Sequence, residues 1–304
     1  MDEREAQLRE NVLLAVQRYW AHCDAKTPYR IGDYIPYAGR IYDGEELCAL
    51  TEAALDFWLT AGPWTERFEG GLADYLGVPY CSMVNSGSSA NLLAFFTLTS
   101  PLLGERRILP GDEVITVASG FPTTVAPIVQ YGAVPVFVDI VLPTYNIDIS
   151  LLEGALSPRT RAVMVAHTLG NPFDLSAVTT FCKQHGLWLI EDNCDALGAR
   201  YQLDGKWYKT GTVGDIGTSS FYPAHHITTG EGGAVYTRDP LLHKILRSLR
   251  DWGRECVCPS GRDNTCGHRF SGQFGTLPAG YDHKYVYSHM GFNLKATDLQ
   301  AAIG

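Results

Sequence analysis

Two regimes of hydrophobic patterning divide this chain. Residues 3–22 carry Leu and Ala among Glu, Gln and Arg, a helical composition, and from Glu45 to about Leu59 the apolar residues Leu47, Leu50, Ala54, Leu55 and Trp58 recur at helical spacing. Between them, 27–43 contains Pro28, Gly32, Pro36 and Gly39 and reads as loop. Further on, short β-rich apolar runs alternate with helical stretches. The pattern predicts strands at 113–118, 134–139, 162–167, 187–191, 217–221 and 233–237. It predicts helices at 88–98, 122–131, 149–156, 174–185 and 240–249. Such alternation implies an α/β fold with a mixed, mostly parallel sheet and helices on both faces. Residues 253–283 are rich in Gly, Cys and Asp with little periodicity, and a loop that long is functional or disordered.

Composition narrows the partners. With 45% hydrophobic and 19% charged residues in 304, the chain has the make-up of a globular domain. A net charge of −9 disfavours nucleic acid and anionic membranes as partners. No apolar run reaches membrane-spanning length. The start, Met1-Asp2-Glu3-Arg4-Glu5, is acidic and unlike a secretory leader, so a cytoplasmic location is expected. The eight cysteines are then expected as thiols. Cys23, Cys48, Cys81 and Cys182 read as small hydrophobes.

Five stretches carry candidate chemistry. Asn85-Ser86-Gly87-Ser88-Ser89-Ala90-Asn91 opens a helix, where small residues and free N–H groups suit a phosphate, although Ser and Gly there equally mark an N-cap. Gly120-Phe121-Pro122-Thr123-Thr124 places an aromatic ring after a strand, for stacking on a flat cofactor or for the core. The strand Leu187–Glu191 runs into Asp192-Asn193-Cys194-Asp195, which puts carboxylates at the strand edge where ligands bind in open α/β sheets. Such a carboxylate can hold a pyridinium nitrogen protonated, or bind metal, or face solvent. Ser219–Gly233 contains Ser220, His225, His226 and three glycines; a histidine there can move protons near neutral pH or be structural. Cys256, Cys258 and Cys266 follow a C-x-C-x7-C spacing. They fit zinc, a 2Fe-2S cluster needing a fourth ligand, or free thiols, and spacing does not separate these.

Together and in this order, these motifs resemble the pyridoxamine-phosphate-dependent CDP-4-keto-6-deoxyglucose 3-dehydrases, an offshoot of the DegT/DnrJ/EryC1 sugar aminotransferases. The marks are Ser-Phe-Tyr-Pro-Ala-His-His-Ile-Thr from Ser219, Glu-Asp-Asn-Cys-Asp-Ala-Leu-Gly from Glu191, and Asp-Trp-Gly-Arg-Glu-Cys-Val-Cys from Asp251. The resemblance implies the large domain of a type I PLP-dependent transferase at 61–304, preceded by a helical extension at 1–60. A closing small domain is expected to be missing, because Leu299–Gly304 reads as the middle of a helix.

The resemblance further implies residue roles. His225 stands at the aminotransferase lysine position and would remove the C4′ proton. Asp192 would pair with the ring nitrogen, Asp195 would lie near the ring 3-hydroxyl, and Phe121 would stack on the ring. Gly87, Ser88 and Ser220 would hold the phosphate. Asn293 would reach the cofactor of a second subunit in a homodimer. Cys194, Cys256, Cys258 and Cys266 would bind a 2Fe-2S cluster. The implied substrate is a nucleotide-linked 4-keto-6-deoxyhexose, CDP-linked by resemblance, with an NADH-dependent flavin/iron–sulfur reductase as electron source. The remaining alternatives are an iron-free dehydrase, a PLP-dependent aminotransferase, and a non-enzymatic zinc-stapled or electron-transfer module.

Overall fold

A computed structural model of the chain describes residues 2–23, 29–36, 38–256, 258–259 and 261–304. The loop expectation over 27–43 therefore falls partly, at 27, 28 and 37, outside the described residues. The elements run α1 Glu3–Cys23, α2 Gly44–Asp56, α3 Pro63–Leu76, β1 Tyr80–Val84, α4 Gly87–Thr97, β2 Glu113–Val117, α5 Pro122–Tyr131 and β3 Val134–Val138. A short hairpin follows, β4 Ile140–Val141 and β5 Asn146–Ile147, then α6 Leu152–Ala155, β6 Thr160–Ala166, α7 Leu175–His185 and β7 Trp188–Asp192. A second hairpin, β8 Arg200–Leu203 and β9 Lys206–Lys209, precedes β10 Ile216–Ser220, β11 Gly233–Thr237, α8 Pro240–Arg250 and α9 Asp298–Ile303.

Seven strands form the main sheet in the order β1-β11-β10-β7-β6-β2-β3. β11 is antiparallel to both neighbours, and the pairs β10–β7, β7–β6, β6–β2 and β2–β3 are parallel. The expected mixed, mostly parallel sheet is therefore present. Strand β6 shows why it is covered twice. Ala162 and Met164 enter the core beneath α4, α5 and α8, while Val163 and Val165 enter the core beneath α7. Successive side chains of a strand point to opposite faces, so a strand apolar at every position belongs between two helical layers.

The expectations missed α3 and β1. Gly70 and Gly71 interrupt the helical composition of α3, and the strand Tyr80–Val84 contains Cys, Ser and Met where β-branched residues would mark it. Tertiary packing decides both elements. Phe68, Leu72 and Leu76 of α3 bury against Met83, Phe221 and Ala301. The start of α3 is also tied to α9, because Asp298 accepts hydrogen bonds from the Gly62 and Thr65 amides and from the Thr65 hydroxyl at 2.7–2.9 Å. A carboxylate at a helix N-terminus satisfies donors that the helix itself leaves open.

Glu191, fully buried in β7, organises the strand's surroundings. It accepts from the backbone amides of Gly211, Val213 and Gly214 at 2.5–2.8 Å, and its other contact is His167 Nε2 at 2.9 Å. Burial works against its charged form, yet the His167 bond and the glycine amides hold the carboxyl below its ordinary value of 4.5. Its stabilising contribution is therefore complete above that value and lost as pH falls through the lower folded value. Glu191→Ala is expected to cost about 3 kcal/mol or more in urea unfolding, since it strands several buried donors. Glu191→Gln should lose less stability than the parent on acidification from neutral pH, and equal acid sensitivity in the two would contradict the assignment.

Candidate active site

The C-terminal ends of β7 and β10 and the starts of α4 and α5 converge at one edge of the sheet. Parallel pairing aligns these ends, and β1, twice reversed through β11, feeds α4 from the same side. Asp192 closes β7 at 4% exposure. Its Oδ2 accepts from Asn91 Nδ2 at 2.8 Å and from Thr124 Oγ1 at 2.7 Å, and its Oδ1 accepts from the Cys194 amide at 3.2 Å. Asn91 is itself oriented by the Thr218 hydroxyl, which donates to Asn91 Oδ1 at 2.7 Å. Four elements thus hold one carboxylate in a fixed direction through neutral donors.

Helix α4 begins beside it. Ser86 caps the helix by accepting from the Ser89 amide at 3.0 Å. A Cβ on Gly87 would stand 2.3 Å from Ser220 Cβ, so only glycine allows β10 and the helix start to approach this closely. Gly87 and Ser220 are buried and Ser88 is exposed, together forming a small cradle at a positive helix end. Phe121 precedes α5 with 69% of its surface exposed.

His225 follows β10 in the segment leading to β11. Its Nδ1 lies 3.6 Å from Asp195 Oδ1, and its ring meets Tyr222 edge-on at 4.9 Å. Burial pushes the imidazole below its ordinary value, against the opposing pull of Asp195 and, further off, Asp192. A neutral imidazole beside a carboxylate can accept a proton near neutral pH. Asn293 is exposed, bridges to Asp251 and accepts from Lys295 Nζ at 2.8 Å.

The cysteines divide. Cys256, Cys258 and His283 offer ligand atoms that all lie within 4.8 Å of one another, and Cys266 Sγ is 3.8 Å from His283 Nε2. Although burial opposes it, hydrogen bonding with Thr265, Cys266 and Cys256 draws the Cys258 thiol down to about 7. Cys194 is not in this group. Burial and the adjoining Asp192 push its thiol well above the ordinary value, and it also contacts Thr218. Among the described residues the mutually close group is Cys256, Cys258 and His283, so the expected set of Cys194, Cys256, Cys258 and Cys266 is not gathered at one point. Asn91, Thr124, Thr218 and His283 received no role from the sequence. Asn91 and Thr124 lie within the stretches singled out there, and one helical turn from a helix start facing a strand carboxylate is the signal that would have found them.

Comparison with known proteins gives consistent matches. The model of the DegT/DnrJ/EryC1/StrS aminotransferase family matches residues 41–304. The lipopolysaccharide biosynthesis protein RfbH of Salmonella typhimurium is 55% identical over 298 residues, covering 98% of this chain and 67% of that protein. A dTDP-4-dehydro-2,6-dideoxy-D-glucose 3-dehydratase of Saccharopolyspora spinosa is 52% identical over 297 residues, covering 97% and 63%. The solved E. coli GDP-4-keto-6-deoxy-D-mannose-3-dehydratase with bound hydrated PLP superposes with a TM-score of 0.75 at 29% identity, covering 89% of this chain and 66% of that one. The chain spans about two thirds of the length of these relatives. Among the described residues no helix is long and apolar enough to cross a membrane.

The contact between His225 and Asp195 has a measurable consequence. Asp195→Asn should lower the His225 titration further, because it removes the leading influence that favours the imidazolium. Histidine-selective NMR titration reads this directly, and an unchanged or raised midpoint would show that the two side chains do not face each other in solution.

Proposed function

Because the chain belongs to the DegT/DnrJ/EryC1/StrS aminotransferase family, we propose that it serves a pyridoxamine-phosphate-dependent dehydration at C3 of a nucleotide-linked 4-keto-6-deoxyhexose. The observation that carries this reading is His225, an imidazole in the position where the aminotransferases of the family's pattern carry lysine, set beside Asp195 at the sheet edge. An imidazole can accept a proton but cannot form the covalent bond to cofactor that a lysine amine forms. The relatives named above as 3-dehydratases act on dTDP- and GDP-linked sugars by their names, and CDP remains the choice for this chain by resemblance.

The residues fit such a cofactor. When bound, pyridoxamine phosphate supplies an amine for the 4-keto carbon and a ring that takes up electron density. Asp192 presents an oriented carboxylate suited to the ring nitrogen. Gly87, Ser88 and Ser220, with the start of α4, form an anion cradle. Phe121 offers an exposed aromatic face, and Asp195, beside His225, would orient it and serve the ring 3-hydroxyl. His225 would take the proton at C4′, and the C3 hydroxyl would leave as water. Asn293 is assigned to a second subunit's phosphate in a homodimer. Residues 61–304 would form the cofactor-binding domain and 1–60 its helical extension.

Dehydration alone is redox-neutral. Completing the change to a 3,6-dideoxy-4-keto sugar takes up two electrons and two protons and releases one water. Neither the sugar nor the cofactor supplies those electrons in net turnover. The reading therefore includes an NADH-dependent flavin/iron–sulfur reductase as partner and an iron–sulfur centre of the 2Fe-2S type at the cysteine loop.

His225→Lys should form a borohydride-trappable bond to added PLP at position 225, and failure to trap would place the side chain away from C4′. His225→Asn should slow C4′ proton exchange by about two orders of magnitude or more, the usual worth of a positioned base. Asn91→Ala and Thr124→Val should each weaken cofactor binding by roughly tenfold by loosening Asp192. Fluorescence titration measures that loss, and unchanged affinity in both would contradict the role of Asp192.

A further inference from the structure

The turn that follows β6, residues 167–171, lies against the segment that carries both site carboxylates, and its backbone is strained. Leu169 sits at a φ of +54°, in the left-handed region that disfavours a residue with a side chain. The same leucine is 78% exposed, so burial of its side chain offsets little of that cost. Strain of this kind persists only where the surroundings over-determine it. We propose that this turn aims Asp195 at His225, with Leu169 as a positioning residue acting through its backbone amide. The inference deepens the base role given to His225 and rests on that reading for its catalytic meaning.

The left-handed bend points the Leu169 amide at Asp195 Oδ2, 3.3 Å away. The other oxygen of the same carboxylate, Oδ1, faces His225 Nδ1 at 3.6 Å. One side chain therefore links the end of β6 to the segment after β10, with one oxygen for each. Asp195 is partly exposed, and among the described residues no other hydrogen bond reaches its carboxylate. The terminal torsion of an aspartate is broad and selects no direction by itself. The Leu169 amide is thus the group that fixes which way the carboxylate faces.

The turn is fastened on its other sides. The His167 amide donates to the Asp192 carbonyl at 3.1 Å, and the Gly170 amide donates to the His167 carbonyl at 3.2 Å. Asn146, buried in β5, accepts from the Thr168 amide at 3.3 Å and donates to the Asn171 carbonyl at 3.0 Å, which clamps both ends of the turn. Gly170, at a φ of +80°, lets the turn close down, since a Cβ there would stand 3.0 Å from the Asp195 carbonyl oxygen. The His167 ring is anchored below, bonded to Glu191 and stacked on Phe173 at 4.3 Å. A short strained turn thereby connects the scaffold carboxylate of Glu191 to the site carboxylate of Asp195.

Besides Asp195, the charged groups acting on His225 are Asp192, which favours its protonation, and His226, which opposes it. The Asp192 carboxylate is held by Asn91 and Thr124, and His226 adjoins His225 in its own segment. A change confined to the turn therefore reaches His225 through Asp195.

The test uses the full chain without cofactor or sugar. Leu169→Pro removes the amide, Leu169→Gly keeps it and relaxes the backbone, and Asn146→Ala loosens the turn from its far side. Each is made alone and together with Asp195→Asn, and circular dichroism shows that each variant is folded. Selective ¹⁵N labelling then follows the Leu169 amide and the titration of the His225 ring. Asp195→Asn should speed solvent exchange of the Leu169 amide at least about threefold. Leu169→Pro and Asn146→Ala should lower the His225 midpoint by at least about half of the drop that Asp195→Asn causes, and neither should lower it further once Asp195 is Asn. Leu169→Gly should stay near the parent value. A midpoint unmoved in folded Asn146→Ala and Leu169→Pro would overturn the proposal, as would a drop of the same size in the Asp195→Asn background. If these couplings appear while His225→Asn leaves C4′ proton exchange untouched, the positioning stands and the dehydration reading falls.

Discussion

The carboxylate of Asp192 is the constraint on which the site depends. It is buried at the end of a central strand, and its hydrogen bonds come from a helix that follows β1, a helix that follows β2, and its own chain two residues on. A buried carboxylate without adequate donors would take up a proton or destabilise the fold. Here Asn91, Thr124 and the Cys194 amide satisfy it, and Thr218 on β10 fixes Asn91. The same bonds that make the charge tolerable therefore lock four elements around the space the cofactor needs. Behind it, the adjacent Glu191 points to the opposite side and binds the segment leading into β10. Two neighbouring acidic residues of one strand thus serve the site and the scaffold separately.

His225 gains its meaning from that frame. In isolation a histidine after a strand is unremarkable. Held beside Asp195 and partly withdrawn from water, it is an imidazole whose titration burial draws down, which suits the base role proposed for it. Replacing an amine by an imidazole removes the competing covalent attachment of cofactor while keeping a group that moves a proton. On the proposed reading, this one exchange would separate loss of the C3 hydroxyl from transfer of an amino group.

Much of this was legible in the chain because strands buried on both faces are apolar throughout and the helices between them keep their period. The six strands read from the pattern all occur, with boundaries shifted by one or two residues, as with Thr160 opening β6. What escaped has physical reasons. Strand β1 is recruited by pairing with β11 rather than by its own composition, and α3 is held by Asp298 from more than 200 residues away. The hydrogen-bond partners of Asp192 were hidden for a similar reason, because Asn91 and Thr124 acquire their role only when two helices dock on one strand end. At the cysteine loop, spacing pointed to Cys256, Cys258 and Cys266, but His283 is brought in by the Arg269–Asp282 pair, an ion pair that no local motif announces.

The most direct test of the account follows the C3 oxygen. The chain, pyridoxamine phosphate and a CDP-4-keto-6-deoxyhexose labelled with ¹⁸O at C3 are incubated anaerobically without reductant. Mass spectrometry then monitors label at C3 and any amino sugar formed. The account predicts that ¹⁸O washes out of C3 into solvent as water leaves and returns, that the loss requires His225, and that no amino sugar appears. Retention of the label together with formation of a 4-amino sugar would contradict it.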